Sequence, residues 1–182
     1  MSTVYMFMAD GLEEMECLAA ADVLRRGGVD TVLVSIGDDL TVTGAHGIRL
    51  VADKLFDEIK KEPEDVLYLP GGMPGTLNLK AHEGLTAMLA DSFEKGEKIA
   101  AICAAPSILG ERGMLKGRKA ICYPGFESAL EGAEIVREKV VNDLPFVTGV
   151  GPGAAVDMGL ELVRILKGEE AAREVAEGMC YA

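Results

Sequence analysis

Short apolar segments typical of β-strands alternate with segments of helical spacing along nearly the whole chain. The predicted strands cover residues 3–8, 31–35, a pair of short strands within 42–52, 66–69, 98–102, 119–122, 134–136, 140–142 and 146–148. Helices are predicted at residues 12–26, 85–93, 107–112, 154–166 and 169–177. This alternation predicts an α/β fold in which a mostly parallel sheet carries helices on both faces.

Length and composition favour a single folding unit. The chain has 182 residues, of which 49% are apolar, and it contains no tryptophan. That length is sufficient for one domain with a substantial core of aliphatic side chains. No repeat, low-complexity run or linker interrupts the pattern, so we predict one domain spanning residues 1–182.

The formal net charge of −12 argues against two classes of partner. Nucleic acids and anionic membranes both require a basic surface, so we expect neither to be bound. The N-terminal segment has no basic residues and is too short for a signal or membrane segment. The four cysteines form no CxxC pair and no zinc-ligand spacing: Cys17, Cys103, Cys122 and Cys180. We therefore expect reduced thiols, a cytoplasmic location and no metal.

Three chemically distinctive features follow predicted strands. Acidic residues 13–16 follow the first strand, Gly71 and Gly72 follow the strand at 66–69, and Cys103 follows the strand at 98–102. In a parallel α/β sheet the carboxyl ends of the strands form the ligand-binding edge. The topology is therefore expected to bring these features together.

Cys103 stands between an apolar strand and Pro106, a residue that suits the first turn of a helix. A sharp turn there exposes the side chain to a helix N-terminus, whose free amides and dipole favour a thiolate. The alternative is a buried structural cysteine, which is the usual state of a free thiol.

A nucleophilic cysteine needs a proton carrier and donors for an oxyanion. The backbone N–H groups of Gly72 and Ala104 are candidate donors, although Gly71 and Gly72 also suit a simple tight turn. One acid of residues 13–16 is a candidate proton carrier, if buried with a raised pKa. The alternative is a carboxylate that only complements the helix dipole.

The two histidines do not support a Ser-His-Asp triad. We expect His82 to be solvated at a helix start and His46 to lie in a surface turn. The glycine-rich stretch at 149–153 lacks the Lys-Ser/Thr ending of a phosphate loop and the spacing of a dinucleotide fingerprint.

Several strings closely resemble the ThiJ/PfpI superfamily, in the branch of the human Parkinson-disease deglycase and its bacterial homologues. They lie in order along the chain: Gly-Leu-Glu-Glu-Met-Glu at 11–16, Asp-Val-Leu-Arg-Arg-Gly at 22–27, Leu-Pro-Gly-Gly at 69–72, Ala-Ala-Ile-Cys-Ala-Ala-Pro at 100–106 and Gly-Pro-Gly at 151–153. The resemblance implies a flavodoxin-like α/β sandwich, a homodimer, and cofactor-free activity on α-oxoaldehydes such as methylglyoxal.

The resemblance also implies roles for single residues. Cys103 matches the family's reactive cysteine and Glu16 the protonated acid that hydrogen-bonds its sulfur, while Gly72 and Ala104 match the oxyanion-binding amides. Ala104 also replaces the histidine of the protease-like members, which argues against peptidase or amidotransferase activity.

Two departures mark accessory positions. Tyr123 stands where many members have a histidine before proline, and tyrosine is a poor base near neutral pH. His46 stands where relatives often carry an arginine. Gly71 is a further accessory candidate beside Gly72.

Two functional hypotheses follow. In the first, Cys103 attacks a small carbonyl substrate in a glyoxalase or deglycase reaction that needs no cofactor. In the second, the chain is a stress-protective, chaperone-like protein whose Cys103 is oxidised to sulfinic acid, with little turnover. A reactive thiolate is needed for attack on a carbonyl and for oxidation, so the cysteine alone does not separate the two hypotheses.

Overall fold

A computed structural model describes residues 2–181. Its strands are β1 (Thr3–Met8), β2 (Asp30–Ser35), β3 (Thr41–Thr43), β4 (Arg49–Val51), β5 (Lys54–Leu55), β6 (Val66–Leu69), β7 (Ile99–Ile102), β8 (Lys119–Ala120), β9 (Glu134–Ile135), β10 (Val140–Asp143) and β11 (Phe146–Gly149). Its helices are α1 (Glu14–Arg26), α2 (Gly75–Ala81), α3 (Glu83–Glu94), α4 (Pro106–Gly110), α5 (Ala155–Lys167) and α6 (Glu169–Gly178).

The central sheet has the strand order β10-β11-β7-β6-β1-β2-β5. All neighbouring pairs are parallel except β10 and β11, which form an antiparallel edge. The chain adds β2 on one side of β1 and then crosses to add β6 and β7 on the other. This change of direction opens a crevice at the carboxyl ends of the strands, where α/β folds bind ligands.

Alternate side chains of β1 point into two separate hydrophobic layers, as expected for a sheet covered on both faces. Val4, Met6 and Met8 pack in the layer that contains buried residues of α1, α5 and α6. Tyr5 and Phe7 pack in the opposite layer, against buried residues of α2, α3 and α4. The predicted α/β class with helices on both faces is confirmed.

Several element boundaries differ from the predictions for local reasons. The helix predicted from residue 12 begins at Glu14, because Leu12 closes a turn by donating its N–H to the Ala9 carbonyl. The strand predicted over 119–122 ends at Ala120, because the Ile121 N–H bonds the Thr148 hydroxyl instead of a strand backbone. Strand β8 pairs with β9 outside the central sheet.

Two elements were not predicted. Helix α2 follows Pro74 and begins at a glycine, a sequence that resembles a turn. Strand β5 has two residues and a largely exposed side-chain pattern, so no apolar alternation marks it.

Candidate active site

Cys103 follows β7 directly and adopts a left-handed backbone conformation, with φ of +65°. Two backbone hydrogen bonds hold it there. Its N–H donates to the Gly149 carbonyl at 2.9 Å, and its carbonyl accepts the N–H of Tyr123 at 2.7 Å. A non-glycine residue with positive φ is strained, so these neighbours must enforce the turn.

The turn after β6 approaches Cys103 so closely that only glycine fits. A Cβ on Gly71 would lie 2.7 Å from the Cys103 Cβ and 2.8 Å from Glu16 Oε2. Gly72 has φ of +89°, and a Cβ there would lie 2.2 Å from the Glu13 backbone nitrogen. The glycine pair thus brings two strand ends and the start of α1 into contact.

The backbone N–H groups of Gly72 and Ala104 lie beside the Cys103 sulfur and lower the pKa of the thiol, against the larger effect of burial, which raises it. Each of these two N–H groups belongs to a peptide unit whose carbonyl oxygen accepts a hydrogen bond from another part of the chain. The Gly71 carbonyl accepts the Glu13 N–H at 2.9 Å, and the Cys103 carbonyl accepts the Tyr123 N–H. These outer bonds fix the direction of both donors and polarise them. The two amides predicted as oxyanion donors therefore converge on the thiol.

Glu16 lies in the first turn of α1, and its side chain is fully buried. Oε2 accepts the Gly71 N–H at 2.7 Å. Oε1 has no hydrogen-bond partner among the described residues, and the carboxyl lies beside the Cys103 thiol. Burial raises the pKa of Glu16 to about 7, although the Cys103 and Gly71 hydrogen bonds act in the opposite direction. Of the acids at 13–16, Glu16 therefore faces the cysteine.

The pKa of Cys103 moves in the direction opposite to the one expected from the sequence. Burial, followed by the negative charge of Glu16 and its hydrogen bond, raises this pKa to about 12, while the amides of Ala104 and Gly72 lower it. Helix α4 starts only at Pro106, three residues beyond the sulfur-bearing residue. Cys103 and Glu16 therefore act as one pair that loses a first proton near neutral pH and retains the second.

His46 lies in the turn between β3 and β4 and interacts with acids rather than with the thiol. Its ring Nδ1 is 2.8 Å from Glu14 Oε2 and 3.5 Å from Glu13 Oε2. The backbone N–H of His46 donates to Glu14 Oε1 at 2.8 Å. The Glu14 hydrogen bond, then the charges of Glu13 and Glu14, raise the pKa of His46. His46 is exposed, as expected for a surface turn, and it ties that turn to α1.

Within residues 2–181, one group has the geometry for a metal ion: single ligand atoms of Glu13, Glu14 and His46 lie within 4.8 Å of one another. Both Glu14 oxygens already accept hydrogen bonds from His46. The mutual ion pair therefore accounts for the cluster without an ion.

Tyr123 contributes its backbone to the site, and its half-exposed ring faces Gly151, where a Cβ would lie 3.1 Å from the ring. His82 is not fully solvated, contrary to expectation. Its Nδ1 caps α3 by accepting the Leu85 N–H at 2.9 Å, and its ring packs on Phe56.

The sequence reasoning missed two residues that hold the site. Tyr68 is fully buried in β6 and donates its hydroxyl to the Glu16 carbonyl at 2.9 Å. Gly149 supplies the carbonyl that anchors Cys103. In the sequence Tyr68 looks like an ordinary strand residue. The one feature that could have indicated its role is a phenol, which needs a hydrogen-bond partner when buried, among aliphatic neighbours.

A family model described as the DJ-1/PfpI family matches residues 2–165. The chain belongs to this family. Among DJ-1/PfpI relatives, Protein DJ-1 homolog B of Arabidopsis thaliana is 40% identical over 93% of this chain. A glutathione-independent glyoxalase of Caenorhabditis elegans is 30% identical over 100% of this chain and 97% of its own length. A deglycase of Pyrococcus horikoshii is 31% identical over 90% of this chain and 99% of its own length.

The chain spans 39% and 45% of the length of the two Arabidopsis relatives it matches. Solved DJ-1/PfpI structures match its whole fold. Oxidized Toxoplasma gondii DJ-1 superposes with a TM-score of 0.94 at 35% identity, covering 100% of both chains. Drosophila melanogaster DJ-1beta gives a TM-score of 0.92 at 30% identity, covering 100% of this chain and 98% of that one. The flavodoxin-like fold implied by the sequence resemblance is confirmed.

Replacing Glu16 by Gln tests which atom carries the pair's single negative charge at neutral pH. Burial raises the pKa of Glu16 to about 7 and that of Cys103 to about 12, so we expect the carboxylate to carry the charge. We expect E16Q to speed iodoacetamide labelling of Cys103 about tenfold: burial of the thiol remains, but the Glu16 charge and hydrogen bond, which raise its pKa further, are removed. E16L also removes that charge, but it offers the thiolate no donor and should label more slowly than E16Q.

Labelling is followed by mass spectrometry at neutral pH, and the exposed thiol of Cys180 in the same samples is the internal control. Slower labelling of Cys103 in E16Q would place the charge on the sulfur instead. Unchanged labelling in both variants would remove Glu16 from the site.

Proposed function

We propose that the protein is a cofactor-free cysteine enzyme of the glyoxalase/deglycase type, acting on small α-oxoaldehydes such as methylglyoxal or their early adducts. The observation that carries this proposal is the fully buried Glu16 carboxyl beside the Cys103 thiol, with the backbone N–H groups of Gly72 and Ala104 next to the sulfur. Relatives named as a glutathione-independent glyoxalase and as deglycases support the reaction class.

The proposed reaction begins when the Cys103 sulfur attacks the aldehyde carbon of methylglyoxal. The carbonyl electron pair moves to oxygen, which accepts hydrogen bonds from Gly72 and Ala104 and then the proton of Glu16. This step forms a hemithioacetal. Glu16, now ionised, has a pKa near 7 and can both take and return a proton at neutral pH.

Glu16 next removes the proton on the hemithioacetal carbon, and the resulting enediol is reprotonated at the neighbouring carbon. The product is a lactoyl thioester on Cys103. Water then attacks the thioester carbonyl, and the sulfur leaves to regenerate the Cys103–Glu16 pair. The net change adds one water to methylglyoxal and yields lactate, with no external oxidant or reductant.

Replacing Cys103 by Ser should abolish lactate formation, because a hydroxyl in this site has no base able to ionise it near neutral pH. We expect kcat/KM for methylglyoxal to fall by at least about a thousandfold. C180S is the matched control, since Cys180 is exposed, and it should retain wild-type turnover. Lactate measured at equal rates in wild type and C103S would overturn the enzyme proposal.

A second candidate function is supported by a specific observation: a solved relative, Toxoplasma gondii DJ-1, is described as oxidized. In this role Cys103 senses oxidants rather than turning over substrate. The amides of Gly72 and Ala104, together with the Glu16 proton, can bind the oxygens of a sulfinate.

Mild peroxide should therefore add two oxygens to the peptide that contains Cys103, and leave buried Cys17 unchanged. Intact-mass and peptide-mass spectra measure the gain. A loss of two hydrogens with a crosslink to Cys122 or Cys17 would show disulfide formation instead. In E16L the yield of sulfinic acid should fall, because its third donor is missing.

The proposed assembly is a homodimer. Four large apolar side chains are exposed on α1 and on the β3–β4 hairpin, which the Glu14–His46 hydrogen bonds join: Met15, Leu18, Ile48 and Val51. Neighbouring exposed apolar side chains of this kind mark interaction surfaces.

Light scattering at micromolar concentration should give about twice the chain mass of 19.3 kDa. Val51→Asp should shift the population to monomer, since it buries a charge in the proposed interface. Leu144→Asp, an exposed apolar site on the far edge of the sheet, is the control. A monomeric wild type contradicts the proposal.

We further propose a cytoplasmic location without nucleic-acid or membrane partners. The net charge of −12 and the free state of Cys17, Cys103, Cys122 and Cys180 support it. Over residues 2–181, no helix combines the length and apolar character needed to span a bilayer.

A further inference from the structure

Tyr68 is a phenol buried beneath the first turn of α1. It lies in the middle of the sheet, where β6 pairs with β1 and with β7, and none of its surface is exposed. Its side chain belongs to the same hydrophobic layer as Cys17 and other buried residues of α1. The hydroxyl donates a hydrogen bond of 2.9 Å to the main-chain carbonyl of Glu16. A strand side chain thus holds the backbone of the residue whose carboxyl lies beside the thiol.

Two further hydrogen bonds join the same two segments. The Gly71 N–H donates to Glu16 Oε2 at 2.7 Å, and the Glu13 N–H donates to the Gly71 carbonyl at 2.9 Å. Residues 68–71 therefore hold the start of α1 at three points. Two of the three donors are backbone N–H groups and the third is the Tyr68 hydroxyl, so a substitution at Tyr68 removes one contact and keeps the other two.

The Glu16 carboxyl depends on this support because it has few polar contacts of its own. Oε2 accepts the Gly71 N–H, and Oε1 has no hydrogen-bond partner within residues 2–181. One hydrogen bond does not fix a side chain as long as glutamate, so the position of the carboxyl beside Cys103 depends on the backbone that carries it. Displacing a catalytic group by about 1 Å can lower a rate about a hundredfold.

The phenol of Tyr68 does not itself carry the proton of the reaction. Burial, followed by the charges of Glu16 and Cys17, raises the pKa of Tyr68 well above its usual value. The hydroxyl therefore stays protonated at neutral pH, and its hydrogen is directed at a carbonyl oxygen. Its contribution is a neutral donor that acts on the position of α1.

We propose that Tyr68 is a positioning residue for Glu16: its hydroxyl holds the first turn of α1 against the end of β6 and thereby keeps the Glu16 carboxyl beside the Cys103 thiol. Phenylalanine at this position keeps the packing of the ring and lets the carboxyl move. This inference rests on the proposed function and deepens it, because it names the strand residue that sets the geometry of the Cys103–Glu16 pair.

Iodoacetamide labelling of Cys103 in Tyr68→Phe reports that geometry without requiring turnover. The Glu16 carboxyl changes the pKa of the thiol through its charge and hydrogen bond, so a carboxyl that is held less firmly has part of the effect of E16Q. We expect Tyr68→Phe to change the labelling rate about threefold, in the same direction as E16Q and by a smaller factor.

The double variant Tyr68→Phe/Glu16→Gln tests whether the effect passes through the Glu16 carboxyl. A residue that acts only on this carboxyl has no effect once the carboxyl is gone, so the double variant should label at the E16Q rate, within about twofold. Three results overturn the inference: a wild-type labelling rate in Tyr68→Phe, a change opposite to that of E16Q, or a change that persists in the E16Q background.

Tyr5→Phe is the matched control. Tyr5 is buried on β1 in the opposite hydrophobic layer and donates its hydroxyl to the Lys60 carbonyl at 3.0 Å. The control loses the same kind of hydrogen bond outside the site, so urea unfolding should show a similar loss of stability in both variants. Labelling of Cys103 in Tyr5→Phe should keep the wild-type rate. A change equal to that of Tyr68→Phe would show a general effect of stability and contradict the positioning role.

Lactate formation separates this inference from the proposed function. In Tyr68→Phe we expect kcat for methylglyoxal to fall about tenfold with KM within about twofold, because the carboxyl is displaced in the steps in which it moves protons. The expected labelling results without lactate formation by the wild type support the positioning role and refute turnover. Normal lactate formation by the wild type, with unchanged labelling in Tyr68→Phe, refutes the positioning role alone.

Discussion

The burial of the Glu16 carboxyl against the Cys103 thiol is the interaction on which the site depends. Out of water, two adjacent acids cannot both ionise, so the pair keeps one proton at neutral pH. The Gly71 N–H satisfies one carboxyl oxygen and leaves the other without a hydrogen-bond partner among the described residues. A proton at that position can stabilise a thiolate, protonate an alkoxide or bind an oxidised sulfur. The same local chemistry thus supports both candidate functions.

The rest of the fold serves to hold this pair in place. Parallel strands β6 and β7 end side by side, and α1 begins at the same edge because it follows β1, the parallel neighbour of β6. Gly71 and Gly72 permit an approach that any side chain would block. Cys103 keeps its left-handed conformation because the segments at Gly149 and Tyr123 bond both sides of its backbone. The strain is local, and the hydrogen bonds that balance it come from distant parts of the chain.

The two positions at which the sequence resemblance predicts a departure, His46 and Tyr123, lie around the pair rather than in it. His46 joins the β3–β4 hairpin to Glu14 on α1 and does not reach the thiol. Tyr123 uses its backbone to orient a donor, and its ring lies over the Gly151 turn.

The sequence by itself determined the α/β class and the layering of the helices, and it predicted candidate residues for the site. Apolar strands, helical spacing and the Cys103 strand-turn-Pro106 pattern are local signals, and the family motifs add Glu16, Gly72 and Ala104. The residue pattern left any acid of 13–16 possible and the family resemblance pointed to Glu16; tertiary structure shows that Glu16 is the one buried beside the sulfur. It also reversed the expected direction of the Cys103 pKa and revealed the role of Tyr68. The physical reason is that burial and charge proximity depend on residues far apart in the chain, whereas sequence patterns report local preference.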